Sequence, residues 1–425
     1  MKMPFVEVLP MNAPNYKRIK LACYAAYFTM ASIFCLPPLL FVTFHTLYDI
    51  SYTLLGTLVL TNFCTQLGID LLFTFFAKRF PIGKVVRVMP LITSFGLFIY
   101  ALIPSLFPQY AYIGLLIGTV LFSVSAGLSE VLLSPVIAAI PSDNPQKDMS
   151  LLHSLYAFGV FTIVCISTVF LKLFGSDNWM YLTAFLALLP VLAAAMFMLS
   201  PMPSMEETHS AASKEGSKHR NIGLALCVLC IFLGSCAENT MSNWTSGYIE
   251  KALHLDKTLG DILGVAMFAV LLGLARIGYA KFGRNICKTL LIGMIGAAGC
   301  YIVAGLSANG MVGLVACAMA GLFTGMLWPG TLILMEEKIP GAGVTAFALM
   351  AAGGDLGASV APQLMGVVID RVTASAWAIE LGAKLHLSGE QVGMKVGMLV
   401  NSLFPILGIA LLLVIIRFFR KYKIA

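Results

Sequence analysis

The sequence predicts an all-α membrane protein with twelve transmembrane helices in two six-helix bundles. Two observations lead to this fold class. First, 59% of the 425 residues are hydrophobic and only 11% are charged, whereas a soluble domain carries about 25% charged residues. Second, the apolar runs continue over roughly 20 residues without the alternation of a transmembrane strand, which is the pattern of bilayer-crossing helices. This composition therefore argues against a soluble enzyme and a disordered scaffold.

Twelve apolar segments follow one another along the chain. Their approximate ranges are 19–46, 52–78, 84–106, 109–140, 150–174, 178–199, 221–249, 259–281, 286–307, 310–335, 343–369 and 396–418. The first segment is too long for a cleaved signal peptide, and no small-residue cleavage site precedes polar sequence. We therefore expect it to be the first span of the protein.

The basic residues predict the orientation. Most of the 27 Lys and Arg residues fall in segments that share one side if the N-terminus is cytoplasmic, and the positive-inside rule then places both termini in the cytoplasm. This asymmetry explains the net charge of +7 without an anionic partner. We expect a lipid bilayer around the protein and no nucleic acid.

The polar stretch 200–220, rich in Ser, Glu and Lys, predicts a flexible cytoplasmic linker. It separates an N-terminal six-helix bundle, residues 1–199, from a C-terminal one, residues 221–425. The ten cysteines lie almost entirely inside apolar spans with no His at ligand spacing, so we interpret them as packing residues. We expect no metal and no cofactor.

Two loops at corresponding places in the halves are similar. Residues 76–84 read FAKRFPIGK and residues 279–284 read YAKFGR. They resemble degenerate copies of the GxxxDRxGRK loop of the major facilitator superfamily, whose fold has two parallel six-span repeats around a midplane site. The family's loop aspartate is replaced here by Lys78 and Ala280, so its charge-relay role is in doubt. The basic loops could equally be topological anchors.

Four acids lie inside predicted spans, namely Asp70, Glu130, Glu238 and Asp355. A carboxylate at the bilayer centre costs about 2.5–3.5 kcal/mol, so it is expected to face the bundle interior and to have a function. Glu130 lies about 12 residues from the nearest polar turn, or roughly 18 Å along a helix, which is near the midplane. Such a carboxyl group can exchange a proton with whichever side is open, although it could also only hydrogen-bond a neighbouring helix.

The segment around Glu130 resembles the fucose permease and glucose/galactose branch of the superfamily. That branch has Glu-x-x-x-Asn-Pro followed by a span that opens Leu-x-Gln-x-x-Asn-x-Phe-Gly. Here Glu130 precedes Ser134 and Pro135, and His153 and Tyr156 replace the Gln and Asn. The resemblance implies that Glu130 carries the coupling proton of a sugar symporter. The family's acid in the first span is missing, so L-fucose is not implied as the substrate.

Span 7 carries a ladder of polar side chains. Glu238 and Ser242 are four residues apart, as are Asn239 and Asn243, so the helix presents them on adjoining faces. Trp244 follows directly. Carboxylate and amide groups bind sugar hydroxyls and an aromatic ring covers the C–H face, which predicts a substrate site. The alternative is an interhelical hydrogen-bond ladder.

Three further residues are weaker substrate-site candidates, and each has a packing interpretation. Trp328 lies in mid-span beside a Pro-Gly step that permits a break. Gln363 lies in the glycine-rich span 11, and Tyr27 lies in span 1, which lines the cavity in this superfamily.

A gate or charge network is predicted from the remaining ionisable residues. Asp355 is expected either to pair with Arg276 of span 8 or to line the cytoplasmic gate. Asp70, two helical turns from the basic loop, is expected in the same gate.

The predicted function is secondary transport by alternating access, as proton-coupled symport of a sugar or sugar-like small polar solute. A sodium-coupled symporter and a proton-coupled antiporter are the alternatives, and the lack of a Gly-Pro motif in span 5 counts against a drug antiporter. No catalytic set is evident, so we do not expect an enzyme. We expect a monomer in a bacterial inner membrane.

Overall fold

The computed structural model describes residues 16–76, 79–142, 145–203, 218–283, 285–339 and 343–422. Within these ranges every element of regular secondary structure is a helix and there is no strand. This confirms the all-α class. The helices of the N-terminal half are α1 (Lys17–Leu39), α2 (Phe41–Tyr48), α3 (Tyr52–Phe76), α4 (Ile82–Leu106), α5 (Ala111–Ala138), α6 (Pro145–Phe174), α7 (Trp179–Leu186) and α8 (Leu188–Met198). Those of the C-terminal half are α9 (Lys218–Lys251), α10 (Lys257–Leu259), α11 (Met267–Phe282), α12 (Ile286–Leu306), α13 (Gly310–Thr324), α14 (Leu327–Lys338), α15 (Gly343–Thr373), α16 (Ala376–Leu385), α17 (Gly389–Asn401) and α18 (Leu403–Lys421).

Ten of the described segments are long and apolar enough to cross a membrane. The helices that cover predicted spans 5 and 11, α6 and α15, are not among these ten. The count of twelve spans therefore stays a prediction. The linker predicted at 200–220 and the loop residue Lys78 fall largely or wholly outside the described residues, as does the side chain of Ala280.

Several predicted spans are interrupted helices. Span 10 breaks at Gly325 and Met326, between α13 and α14, rather than at the Pro-Gly step that follows. Pro329 instead occupies the first turn of α14, where a missing N–H costs no hydrogen bond. Span 8 begins with a π-helical segment, Gly260–Ala266, a rare geometry that occurs often at functional sites.

One end of the bundle holds the start of α1, the start of α9 and the end of α18, and we call it the linker end. Here α1 is joined to α6 by an ion pair between Lys20 and Asp148, and His219 stacks on Tyr422 with ring centroids 4.2 Å apart. The Lys20 ammonium, followed by a hydrogen bond from Ser142, holds the pKa of the Asp148 carboxyl below its usual value of 3.8. These contacts anchor helices within each half.

The two halves meet at the opposite end, where α3 begins and α15 ends. The Asp370 carboxylate accepts hydrogen bonds from the backbone N–H groups of Tyr52 and Thr53, at 3.1 and 2.6 Å. The Tyr52 hydroxyl donates to Glu390. At Gly366 a Cβ would lie 2.2 Å from the Tyr52 carbonyl oxygen, so only glycine permits this approach. A carboxylate from one half thus caps a helix of the other.

A buried ion pair makes a second contact between the halves at this opposite end. The Lys257 ammonium donates to the carbonyl oxygen of Leu39 at 2.9 Å and lies 3.7 Å from the Asp261 carboxylate. Asp261 is only 1% exposed and accepts hydrogen bonds from Ser246 within its own half and from Thr168 of α6. The halves are therefore in polar contact on two sides of this end.

Candidate functional site

A cavity of 130 Å³ lies between α1 and α6 of the N-terminal half and α9 and α11 of the C-terminal half. Its polar lining residues are Tyr156, Glu238, Asn239, Ser242, Ser246 and Arg276. Its aromatic ones are Phe34, Tyr156 and Phe268. Three residues that the sequence proposes for the substrate site, Tyr156, Glu238 and Asn239, therefore share one cavity at the boundary of the halves.

Arg276 faces Glu238 across this cavity, with its Nη2 atom 3.7 Å from Oε1 of the carboxylate. Its Nε atom donates to the carbonyl oxygen of Gly325, at 3.0 Å, where the break after α13 begins. Of the two alternatives for Asp355, pairing with Arg276 is not the one that this structure shows, because α11 turns the guanidinium towards α9 of its own half. The other carboxylate oxygen of Glu238 is buried and has no hydrogen-bond partner among the described residues.

The span 7 ladder divides between two surroundings. Glu238, Asn239 and Ser242 face the cavity, whereas Asn243 is buried and donates to the carbonyl oxygen of Asn239 at 2.8 Å. Asn243 lines a separate space of 20 Å³, which also contacts Asn62 of α3 and is large enough for about one water molecule. The hydrogen bond of Asn243 stays within α9, so it does not form the interhelical ladder of the alternative interpretation.

The two tryptophans proposed for the site lie outside the lining of the cavity. Trp244 is 1% exposed, packs edge-on against Phe41 at 5.3 Å and donates to the carbonyl oxygen of Pro362. Trp328 packs against Gly354, where a Cβ would lie 2.2 Å from its ring. The aromatic side chains that line the cavity are instead those of Phe34, Tyr156 and Phe268.

Gln363 also lies outside the cavity lining. It meets Gly56 of α3, where a Cβ would lie 2.9 Å from its Oε1 atom. The side chain of His153 falls outside the described side chains, so its role stays a prediction.

Glu130 lies in the interior near the boundary between the halves. Its side chain is exposed, whereas the preceding Ser129 is 6% exposed and Leu132 is 3% exposed. The carboxylate is close enough to Tyr27 of α1 and Tyr156 of α6 to interact electrostatically with both. It therefore faces open space inside the bundle rather than tightly packed side chains.

Tyr156 connects the two glutamates. Its hydroxyl interacts electrostatically with Glu130, Tyr27 and Glu238, and Tyr156 lines the same cavity as Glu238. A row of ionisable side chains therefore runs from α5, through α1 and α6, to the pair of Glu238 and Arg276 in the C-terminal half.

Asp70 and Asp355 form a second group of acids. Asp70 on α3 and Asp355 on α15 lie close enough to interact electrostatically, and Glu130 interacts electrostatically with both. Asp355 is thus placed with the other acids, away from Arg276. The two acids belong to opposite halves, and their role in a gate network stays a prediction.

Sequence reasoning missed the residues that close the end opposite the linker. Asp370, Glu390 and Lys257 are ordinary loop or span-end residues in the sequence. One local signal was available for the ion pair, because Lys257 and Asp261 have the i, i+4 spacing that puts charges on one helix face. No local signal marks Asp370, which caps a helix 317 residues away.

The comparisons with known proteins agree with this architecture. A family model described as Major Facilitator Superfamily matches residues 22–362. No curated protein sequence matches the chain.

Several solved structures share the fold. The inward open xylose transporter XylE from E. coli has a TM-score of 0.69 at 16% identity, covering 91% of this chain and 94% of that one. A bacterial homolog of the human lysosomal transporter Spinster, inward-facing and occupied, has a TM-score of 0.72 at 13% identity, covering 96% and 98%. The nucleoside transporter NupG has a TM-score of 0.69 at 12% identity, covering 95% and 99%.

Proposed function

Because the chain belongs to the major facilitator superfamily, we propose that it is a proton-coupled symporter of a sugar or sugar-like small polar solute. Glu130 is the proton-carrying residue of this proposal. We also propose that the protein is related to the fucose permease branch, which the segment around Glu130 resembles. The protein acts as a monomer in the cytoplasmic membrane of a bacterium.

The observation that carries the proposal is the row of ionisable side chains between Glu130 and Glu238. A symporter must let proton binding at one residue affect solute binding at another, and the two effects must be reciprocal. Glu130 is accessible inside the bundle, and Tyr156 interacts with both glutamates. Protonation of Glu130 thereby changes the field at the solute-binding half of the cavity.

The closed end supports transport by alternating access. Asp370 and Lys257 hold the halves together opposite the linker, and Glu130 remains accessible. If the linker is cytoplasmic, as the basic residues predict, this is an inward-facing state. Release of these two contacts is then the step that exposes the cavity to the outside.

The composition of the cavity supports a small polar solute with an apolar face. Glu238, Asn239 and Ser242 offer groups for hydroxyls, and Phe34 and Tyr156 offer rings with centroids 5.6 Å apart. Binding sites of this kind combine apolar walls with a few placed polar groups.

The test uses proteoliposomes that contain a pH-sensitive dye. D-xylose, D-glucose, L-fucose, uridine and D-glucuronate are added in turn, and we expect at least one to cause proton uptake that depends on the solute. Glu130→Gln should abolish accumulation against a gradient but retain solute exchange, because exchange needs no net proton movement.

The matched control is Glu380→Gln, which removes a carboxylate paired with Lys384 at the surface and should transport like the wild type. Solute uptake that ignores the proton gradient would refute the proposal, as would a Glu130→Gln protein with normal accumulation. Uptake that stops when choline replaces sodium would instead support the sodium-coupled alternative.

A further inference from the structure

The central cavity contains a fixed guanidinium group. Arg276 is held by its Nε donor to the Gly325 carbonyl oxygen at the helix break, and its side chain is 43% exposed. A guanidinium has five N–H donors, and among the described residues only this one makes a hydrogen bond. Its partner Glu238 is 3.7 Å away, beyond hydrogen-bonding distance. The arginine is therefore held in place while its other N–H donors stay free to bind a solute.

We propose that the transported solute carries a carboxylate, which Arg276 binds in place of Glu238. This inference rests on the proposed transport function and narrows its solute from a neutral sugar to an organic acid, such as a sugar acid. Arginine binds carboxylates through two parallel hydrogen bonds, and the unused Nη donors of Arg276 face the cavity that Glu238 also lines.

The exchange of carboxylates leads to proton uptake. When the solute binds Arg276, Glu238 loses its only charged partner among the described residues, and one of its carboxylate oxygens is already buried without a hydrogen bond. A carboxylate left unpaired in such surroundings is unfavourable, and it takes up a proton. A hydronium ion in the cavity transfers this proton to Glu238, which becomes a neutral carboxylic acid, and one water molecule is left.

Among the side chains that the structure describes, four titratable groups face Glu238 or lie near it: Arg276 on α11, Tyr156 on α6, Cys35 on α1 and Glu130 on α5, which also interacts with Tyr156. Asp355 on the neighbouring α15 interacts with Asp70 and Glu130 instead. The pH response of solute binding should therefore depend mainly on Glu238 and Glu130, and single variants can separate them.

The experiment compares acids with matched neutral compounds. Dissociation constants are measured on the purified full-length protein for D-glucuronate and D-glucose, D-galacturonate and D-galactose, and L-lactate and propane-1,2-diol. We expect at least one acid to bind more tightly than its neutral partner, and more tightly as pH falls. Arg276→Gln should weaken that acid roughly ten- to hundredfold, because it loses charge-assisted hydrogen bonds.

The direction in which Glu238→Gln changes the affinity for the acid distinguishes the two roles of Glu238. It removes the competitor for Arg276, so binding of the acid should become tighter and less dependent on pH. If Glu238 only accepted hydrogen bonds from a neutral sugar, the same variant would weaken binding. The control is Arg371→Gln, which changes an exposed arginine on α15 and should bind like the wild type.

Three results would overturn the inference: no acid binds better than its neutral partner, Arg276→Gln leaves the preference intact, or Glu238→Gln weakens the acid. The proposed transport function fails separately. If a neutral sugar is accumulated through Glu130 and Arg276 plays no role, only the inference that the solute carries a carboxylate is refuted. If an acid binds through Arg276 but its transport never moves protons, only the proposed proton coupling is refuted.

Discussion

The carboxylate of Asp370 holds α3 at the closed end, and we expect Asp370→Ala to favour opening of that end. The side chain accepts from two backbone N–H groups of the other half, at 3.1 and 2.6 Å. These donors begin α3, where no intrahelical acceptor exists. Because the cap comes from the opposite half, it exists only while the halves are together, so its loss destabilises one conformation and leaves the other unchanged.

The size of the effect follows from the two hydrogen bonds. A hydrogen bond to a charged group contributes about 1.5–3 kcal/mol net, and replacement of a helix cap typically costs about 1–2 kcal/mol. The carboxylate and both N–H groups become hydrated on opening, so we take about 2–3 kcal/mol for the pair. The population of the open end should then rise roughly 30- to 150-fold.

Hydrogen exchange of the first turn of α3 measures this change. The amides of Tyr52 and Thr53 lose their acceptor in Asp370→Ala, and their exchange should accelerate by up to the same factor where opening limits the rate. Asp370→Asn keeps one acceptor oxygen and should be intermediate. Asp256→Ala is the matched control, because Asp256 caps Leu259 within its own half and its loss should leave α3 unaffected.

The reasoning would be refuted by unchanged exchange at Tyr52 and Thr53 in Asp370→Ala. It would equally be refuted if Asp256→Ala accelerated these amides to the same extent, since the effect would then be general destabilisation.

Three further predictions concern other contacts. Gly366→Ala places a Cβ 2.2 Å from the Tyr52 carbonyl oxygen, so exchange in α3 should accelerate as in the cap variant; normal protection would contradict this contact. Lys257→Met leaves Asp261 buried without its cation, and breaking such a pair costs about 3–5 kcal/mol; the melting temperature should fall, and Lys257→Met with Asp261→Asn should recover part of the loss. The pKa of Asp148 is lowered in the folded protein, so its ionised carboxylate stabilises the fold at any pH above the usual Asp pKa, and this stabilisation is lost as the pH falls through the folded-state pKa. Asp148→Asn should therefore lower the melting temperature at neutral pH but not in strong acid.

The helical class could be predicted because a bilayer permits few alternatives. Long apolar runs must form helices to satisfy their backbone groups internally, so composition and run length sufficed. The in-span acids were visible for the same reason, since their cost makes them rare. Glu130 and Glu238 were found in this way, and their surroundings agree with an interior position.

The rotation of each helix was not available from the sequence. Trp244 follows Glu238 by six residues, which is about 240° further round an α-helix. The glutamate consequently faces the cavity while the tryptophan is buried among Phe41 and Tyr52. Composition identified both as unusual, but only the packing of α9 against α1 decides which side each one faces.

The sequence by itself determined that this chain spans a membrane as helices and that a few acids stand at its centre, because transfer free energies depend on residue type and run length alone. The tertiary structure decided that Arg276 pairs with Glu238 rather than with Asp355, and that Asp370 closes the far end. These contacts join residues distant in the chain, and their partners are set by how the helices rotate, break and cross.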